Sequence, residues 1–237
     1  MTRIVLETQG LRKAFGGNQV IDGIDFRLAA GELVAIVGPN GAGKTSFLNL
    51  IAGQFRPNAG TIQLAGADVT QLAPNVPARR GLFRSFQNGG AFGRLSAIQN
   101  VALAGMVRGL GRREAESEAG KALARVGLSP VADWPADHLS GGQRKLIDFA
   151  RLLLAKPEVA LLDEPTAGVN PAIMEVMRAI IAEMRDKGVG FAVISHDLPW
   201  VFGLCQRVVV LASGRVLAAG SPDEVSADPA VREAYLA

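Results

Sequence analysis

The eight residues Gly38-Pro39-Asn40-Gly41-Ala42-Gly43-Lys44-Thr45 match G-x-x-x-x-G-K-[ST] at every fixed position. This spacing serves phosphate binding. Glycines let the backbone bend so that successive N–H groups aim at one anion, and a following helix N-terminus adds partial positive charge at the same point. Lys44 is then placed to reach the β- and γ-phosphates of a nucleotide, and the Thr45 hydroxyl to face Mg²⁺. The flanks agree. Leu33-Val34-Ala35-Ile36-Val37 reads as a buried strand, and the stretch from Ser46 to Ala52 reads as a helix.

A second group of candidates is Asp163-Glu164, which closes the apolar run Val159-Ala160-Leu161-Leu162. On parallel α/β sheets ligand chemistry collects at the carboxyl ends of strands. There Asp163 is suited to hold Mg²⁺, directly or through water, and Glu164 to polarise an attacking water. Phosphoryl transfer asks mainly for positioning and charge neutralisation, which such a pair supplies. A third is Leu139-Ser140-Gly141-Gly142-Gln143, in front of a helix with apolar Leu146, Ile147, Phe149 and Ala150. Ser140 suits the N-cap, and the same geometry turns a hydroxyl, backbone N–H groups and a helix dipole outward toward an anion.

The elements that must carry these groups follow from the pattern. Strand-like residues cover 4–6 and 20–28, with a turn at Ala30-Gly31-Glu32, a loop from Gly53 to Gly60 and a strand over Thr61–Leu64. From about Asn88 to Leu128 the chain is rich in Ala, Arg and Glu at helical spacing, a helical insertion rather than a domain of its own. A helix then runs from Gly142 to about Ala155. Strand–helix alternation resumes over 159–162, 171–187, 190–195, 198–203 and 207–212, which predicts a mainly parallel α/β core.

Composition bounds the rest. The 237 residues are 49% hydrophobic and 20% charged, with a formal net charge of +3, within the range of ordinary globular chains. No dense Lys/Arg block interleaves with aromatics, so a nucleic-acid partner is not expected. The small clusters Arg79-Arg80, Arg84 and Arg112-Arg113 read as solvated surface. Cys205 is the only cysteine, which excludes an intrachain disulfide. The N-terminus lacks the apolar core of a secretory signal, and no window of about 18 apolar residues is present to span a bilayer.

In the order and spacing of these motifs, over nearly the whole length, the chain resembles the nucleotide-binding subunits of ATP-binding cassette transporters. The resemblance implies a P-loop NTPase (RecA-like) α/β core with an N-terminal antiparallel β subdomain and a helical insertion. It implies one nucleotide-binding domain over 1–237, with a helical subdomain at about 88–155. It implies ATP and Mg²⁺ as ligands: ATP on Gly38, Pro39, Asn40, Gly41, Ala42, Gly43, Lys44, Thr45 and Ser46, and metal at Thr45, Gln87 and Asp163. Glu164, Gln87 and His196 would serve hydrolysis, His196 as the switch histidine at the γ-phosphate. Phe15 would stack on adenine, where the family more often has tyrosine. Ser140, Gly141, Gly142 and Gln143 would cap ATP held by a second nucleotide-binding subunit, so the hydrolytic unit would be a head-to-tail homo- or heterodimer. Asn170 stands where the family's interface loop usually carries aspartate. His138, beside Leu139, receives no role.

Phe15-Gly16-Gly17, Arg84-Ser85-Phe86-Gln87-Asn88, Gly168-Val169-Asn170-Pro171 and the tail Asp228–Leu236 are similar to importers of branched-chain amino acids and to related urea and amide importers. Ser140-Gly141-Gly142 departs from the Ser-Tyr-Gly form common in part of that branch. The implied setting is the cytoplasmic membrane face, with two integral permease subunits and, indirectly, an external solute-binding protein. A lipid or lipopolysaccharide export ATPase is the alternative, since such ATPases have similar size and motifs. The apolar Phe92, Leu95, Ile98 and Val101 are expected to pack mostly inside the insertion.

Overall fold

A computed structural model describes residues 3–85 and 90–236. Two sheets organise the chain. The first is antiparallel, in the order β2-β1-β4-β5, from β1 (Ile4–Phe15), β2 (Asn18–Ala29), β4 (Ala59–Leu64) and β5 (Ala67–Asp68). The second has the order β10-β9-β3-β8-β7-β6, from β3 (Leu33–Val37), β6 (Leu82–Arg84), β7 (Val159–Asp163), β8 (Gly190–Ile194), β9 (Arg207–Ala212) and β10 (Arg215–Gly220). It is parallel throughout except for β10, which pairs antiparallel with β9 at one edge.

The strands β3, β7 and β8 are buried at every position, because both faces of the parallel sheet are covered, and their sequences are accordingly continuous apolar runs. Leu33, Ala35, Val37, Ala160, Leu162, Phe191 and Val193 face one cluster. It also holds residues of α3 (Ala97–Val107), α4 (Arg112–Arg125), α5 (Gly141–Ala155) and α6 (Pro171–Asp186). Val34, Ile36, Val159, Leu161, Ala192 and Ile194 face the other, with α1 (Lys44–Ile51) and the antiparallel sheet. The alternation assigns successive residues of each strand to opposite layers.

The alternating segment from residue 159 to 212 follows its expected boundaries within about two residues. The N-terminal strand does not: β1 runs to Phe15, far past residue 6. Its register with β2 shifts between Thr8 and Leu11, around Gly10, and a bulge of this kind breaks the period-two pattern that would mark the strand. The short α2 (Asn75–Arg79), α7 (Leu198–Phe202) and α8 (Pro222–Ala227) and the terminal α9 (Pro229–Leu236) complete the elements. No helix among the described residues is long and apolar enough to cross a membrane. In the helical region Val101 is fully buried as expected, whereas Phe92 is 59% exposed.

Candidate active site

Four neighbouring strands deliver the chemical groups. The phosphate loop leaves β3, His196 follows β8, Asp163 ends β7 with Glu164 directly after it, and Arg84 ends β6. Gly38 has φ +148°, and a Cβ there would lie 2.0 Å from the Leu211 carbonyl oxygen. Gly43, the N-cap of α1, has φ +96°, and a Cβ would meet the Val20 carbonyl at 2.8 Å. The tight turn therefore admits only glycine at these two points.

Lys44 is buried, and its Nζ donates to the carbonyls of Gly38 at 2.7 Å and Pro39 at 2.9 Å. Burial lowers its pKa, and the negative charge of Glu164 and Asp163 counters that shift. Val20, Asn40, Gly41, Ala42, Gly43, Lys44, Thr45, Ser46, Glu164, Ile194 and His196 line one cavity of about 310 Å³. A roomier groove of about 560 Å³ lies between the two sheets at Glu7, Asp25, Arg27 and Arg207. It holds none of the phosphate-loop residues; Arg27 pairs with Glu7 and Arg207 with Glu32, and Asp25 Oδ1 accepts the Gly10 N–H. The smaller cavity is therefore the one with chemistry.

At its edge, Thr45 Oγ1 stands 3.5 Å from Asp163 Oδ1. Asp163 Oδ2 lies 3.3 Å from Arg84 Nη2, and the Asp163 N–H donates to Ser85 Oγ at 3.0 Å. Burial raises the Asp163 pKa, partly offset by Arg84. Arg84, expected on the solvated surface, is in fact sealed, its side chain only 7% exposed; a partner 79 residues away is not visible in a local charge cluster. The hydroxyl of Thr45 and the carboxylate of Asp163 are hard oxygen donors, which suit Mg²⁺ shared with phosphate oxygens.

Glu164 takes φ +50°, a left-handed conformation uncommon for a residue with a side chain. The His196 backbone N–H donates to its Oε2 at 3.2 Å. His196 Nε2 comes within 3.2 Å of Oε1 but outside hydrogen-bonding geometry, so among the described residues Oε1 is buried without a donor. A buried carboxylate oxygen without a donor, facing a phosphate cradle, is an acceptor poised for a proton or a water.

The remaining candidates lie apart from this cavity. Ser140 caps α5 with a reciprocal pair: its Oγ accepts from the Gln143 N–H, and Gln143 Oε1 accepts from the Ser140 N–H. Ser140 and Gly141 are exposed, and none of Ser140–Gln143 lines the cavity. Phe15, 39% exposed at the end of β1, packs edge-on against Phe55 at 5.0 Å with Lys13 Nζ above its ring. Asn170 Oδ1 caps α6 by accepting from Ile173 N–H. Gln87 lies outside the described residues. Lys145 escapes the motif reading altogether: its Nζ donates to the carbonyls of Glu164 at 2.8 Å and Ala167 at 2.6 Å.

A parallel sheet with a phosphate loop and an acid pair at its carboxyl edge defines an ATP hydrolase of the P-loop class. The chain belongs to the ABC transporter family: the family model "ABC transporter" matches residues 21–167. A second model, "Branched-chain amino acid ATP-binding cassette transporter", matches residues 215–236. Among similar proteins is the high-affinity branched-chain amino acid transport ATP-binding protein BraF of Pseudomonas aeruginosa, 33% identical over 100% of this chain and 99% of its own. LivG of Escherichia coli, with the same description, is 34% identical over the same shares. The lipopolysaccharide export system ATP-binding protein LptB of Acidithiobacillus ferridurans is 36% identical over 98% of this chain and 96% of its own. In structure, the chain is similar to an ATP-binding cassette of an ABC transporter in its ADP conformation, with TM-score 0.87 and 28% identity over 99% of both chains. It is also similar to a nucleotide-free cassette, with TM-score 0.89 and 27% identity over 99% of both. The expected fold class and the ATPase activity are thereby borne out.

Proposed function

We propose that this ATPase powers uptake of branched-chain or other hydrophobic amino acids. It would act as one of two nucleotide-binding subunits on the cytoplasmic face of two permease subunits, supplied by an external solute-binding protein. The observation that carries the uptake reading is the match of residues 215–236 to the branched-chain tail, on a chain whose full length also matches BraF and LivG. The LptB relative, 36% identical over 98% of this chain, supports a second reading, lipopolysaccharide export. Residues of about 88–155 form the helical subdomain in this reading.

The residues divide the work as follows. The backbone of Gly38–Ser46 and the Lys44 ammonium hold the triphosphate, and Phe15 offers a ring face to adenine. Thr45, Asp163 and Gln87 would hold Mg²⁺, which neutralises charge on the phosphate oxygens when bound. Glu164 Oε1 accepts the proton of the attacking water, and His196 borders the γ-phosphate. Ser140 and Gly141 are exposed and none of Ser140–Gln143 lines this chain's own cavity, which supports use of the segment on a second subunit's nucleotide.

The test is reconstitution of the chain with its native permeases in vesicles. ATP-driven leucine accumulation that depends on the binding protein is expected. Stimulation of ATPase by lipopolysaccharide, with none by loaded binding protein, overturns the uptake reading. In the same system Glu164→Gln should lose turnover while retaining ATP and forming a stable dimer by light scattering. Near wild-type hydrolysis by that variant removes Glu164 as the base.

A further inference from the structure

Helix α5 begins at the exposed tip Ser140, and a little more than one turn later it presents Lys145 to the acid turn that follows β7. The Lys145 ammonium is half-buried and spans two carbonyls, those of Glu164 and Ala167. The Glu164 carbonyl also accepts the Ala167 N–H at 3.3 Å. These contacts close the 164–167 turn at the residue whose φ is +50°. Such a conformation persists only where surrounding contacts hold it. A charged donor to the carbonyl is the stronger of these two contacts.

We infer that Lys145 is a positioning residue for hydrolysis, fixing the left-handed backbone of Glu164 so that its carboxylate points into the phosphate cavity. This rests on Glu164 being the base. Without the ammonium, only the Glu164 N–H on the Ile194 carbonyl at 3.0 Å and the longer Ala167 bond restrain this backbone; relaxation of φ toward an ordinary value swings the side chain relative to the strand. The nucleotide contacts of the phosphate loop lie on another strand and would remain. The link also makes the tip and the base parts of one rigid piece, because α5 is continuous between them.

The experiment compares Lys145→Met, which keeps the buried stem and loses the donors, with Lys145→Arg, which keeps charged donors. Glu164→Gln serves as the control. For Lys145→Met we expect kcat to fall on the order of ten- to a hundredfold, with nucleotide affinity, measured by a fluorescent ATP analogue, within about twofold of wild type. Lys145→Arg should recover most of the rate. A wild-type kcat in Lys145→Met overturns the inference, as does a loss of nucleotide affinity parallel to the loss of rate, or no recovery in Lys145→Arg. If Glu164→Gln itself turns over normally, the assignment of the base fails instead, and the two failures are told apart.

Discussion

Arg84 Nη2 and Asp163 Oδ2 form an ion pair at 3.3 Å, with the side chains 7% and 3% exposed. Two adjacent strands, β6 and β7, thus each contribute one charge to a sealed contact beside the phosphate loop. Removing one member of a buried pair strands the other, and the cost is about 3 kcal/mol or more. Arg84→Met should therefore destabilise the protein strongly at neutral pH. The sign of the pH dependence follows from Asp163, whose pKa burial raises and Arg84 holds back. In the variant the folded-state pKa climbs further above the unfolded value. The deficit is then complete above the folded pKa and shrinks as falling pH protonates the carboxyl. Thermal melts of both proteins at several pH values check this; a deficit that widens on acidification contradicts the pair.

Gly38 and Gly41 share a loop and a positive φ but differ in surroundings. A Cβ at Gly38 would stand 2.0 Å from a backbone oxygen, whereas nothing lies within 4 Å of one at Gly41. Gly41→Ala should cost only the backbone term, about 1 kcal/mol, or roughly 2–4 °C in melting temperature without nucleotide. Gly38→Ala must displace β9 and should cost about 4 kcal/mol or prevent folding. Equal melting temperatures for the two would refute the steric account.

Ser140 carries both a cap and the exposed tip. Ser140→Arg should cost about 1 kcal/mol of stability through loss of the cap. It should leave nucleotide binding to the single subunit intact and abolish the ATP-induced dimer in a Glu164→Gln background. Light scattering with and without ATP reads the second effect, and persistent dimers would show that the tip faces elsewhere.

Asn100 is fully buried, and its amide ties together the turn ahead of α3. It donates to the carbonyls of Phe92, Leu95 and Ser96 and accepts from the Phe92 N–H and from Arg151 Nη2. Arg151 also holds Asp148 and the Gly90 carbonyl. The three carbonyls keep backbone donors, from Leu95, Ala136 and Asn100 itself, but Asn100→Ala takes the acceptor from the Phe92 N–H and from Arg151 Nη2, at about 1–3 kcal/mol for each buried group. A drop of about 3 kcal/mol in chemical denaturation, with nucleotide affinity preserved, is expected. A negligible drop would mean that the turn is held by its backbone alone.

Legibility in the sequence followed burial. The runs 33–37, 159–163 and 190–194 announce themselves because both faces of the sheet are covered. The edge strand β10 is largely exposed, with Val216 and Leu217 more than a third accessible, and β6 spans only three residues, so neither carries a usable pattern. The phosphate loop and acid pair were legible because their chemistry demands side-chain types at fixed spacing. Arg84 was not, since its partner comes from a strand that is a neighbour only in space. Lys145 was not either, because its acceptors are backbone carbonyls, which no residue type marks.

The strand order β9-β3-β8-β7-β6 lays the anion cradle, the histidine, the acids and the arginine side by side along one rim. Helices α3 and α4 sit in a different layer and contribute nothing to that rim. Substitutions on the solvent side of those two helices are therefore expected to leave the row of reacting groups where it is, whereas changes on their inner side reach the strands that carry it.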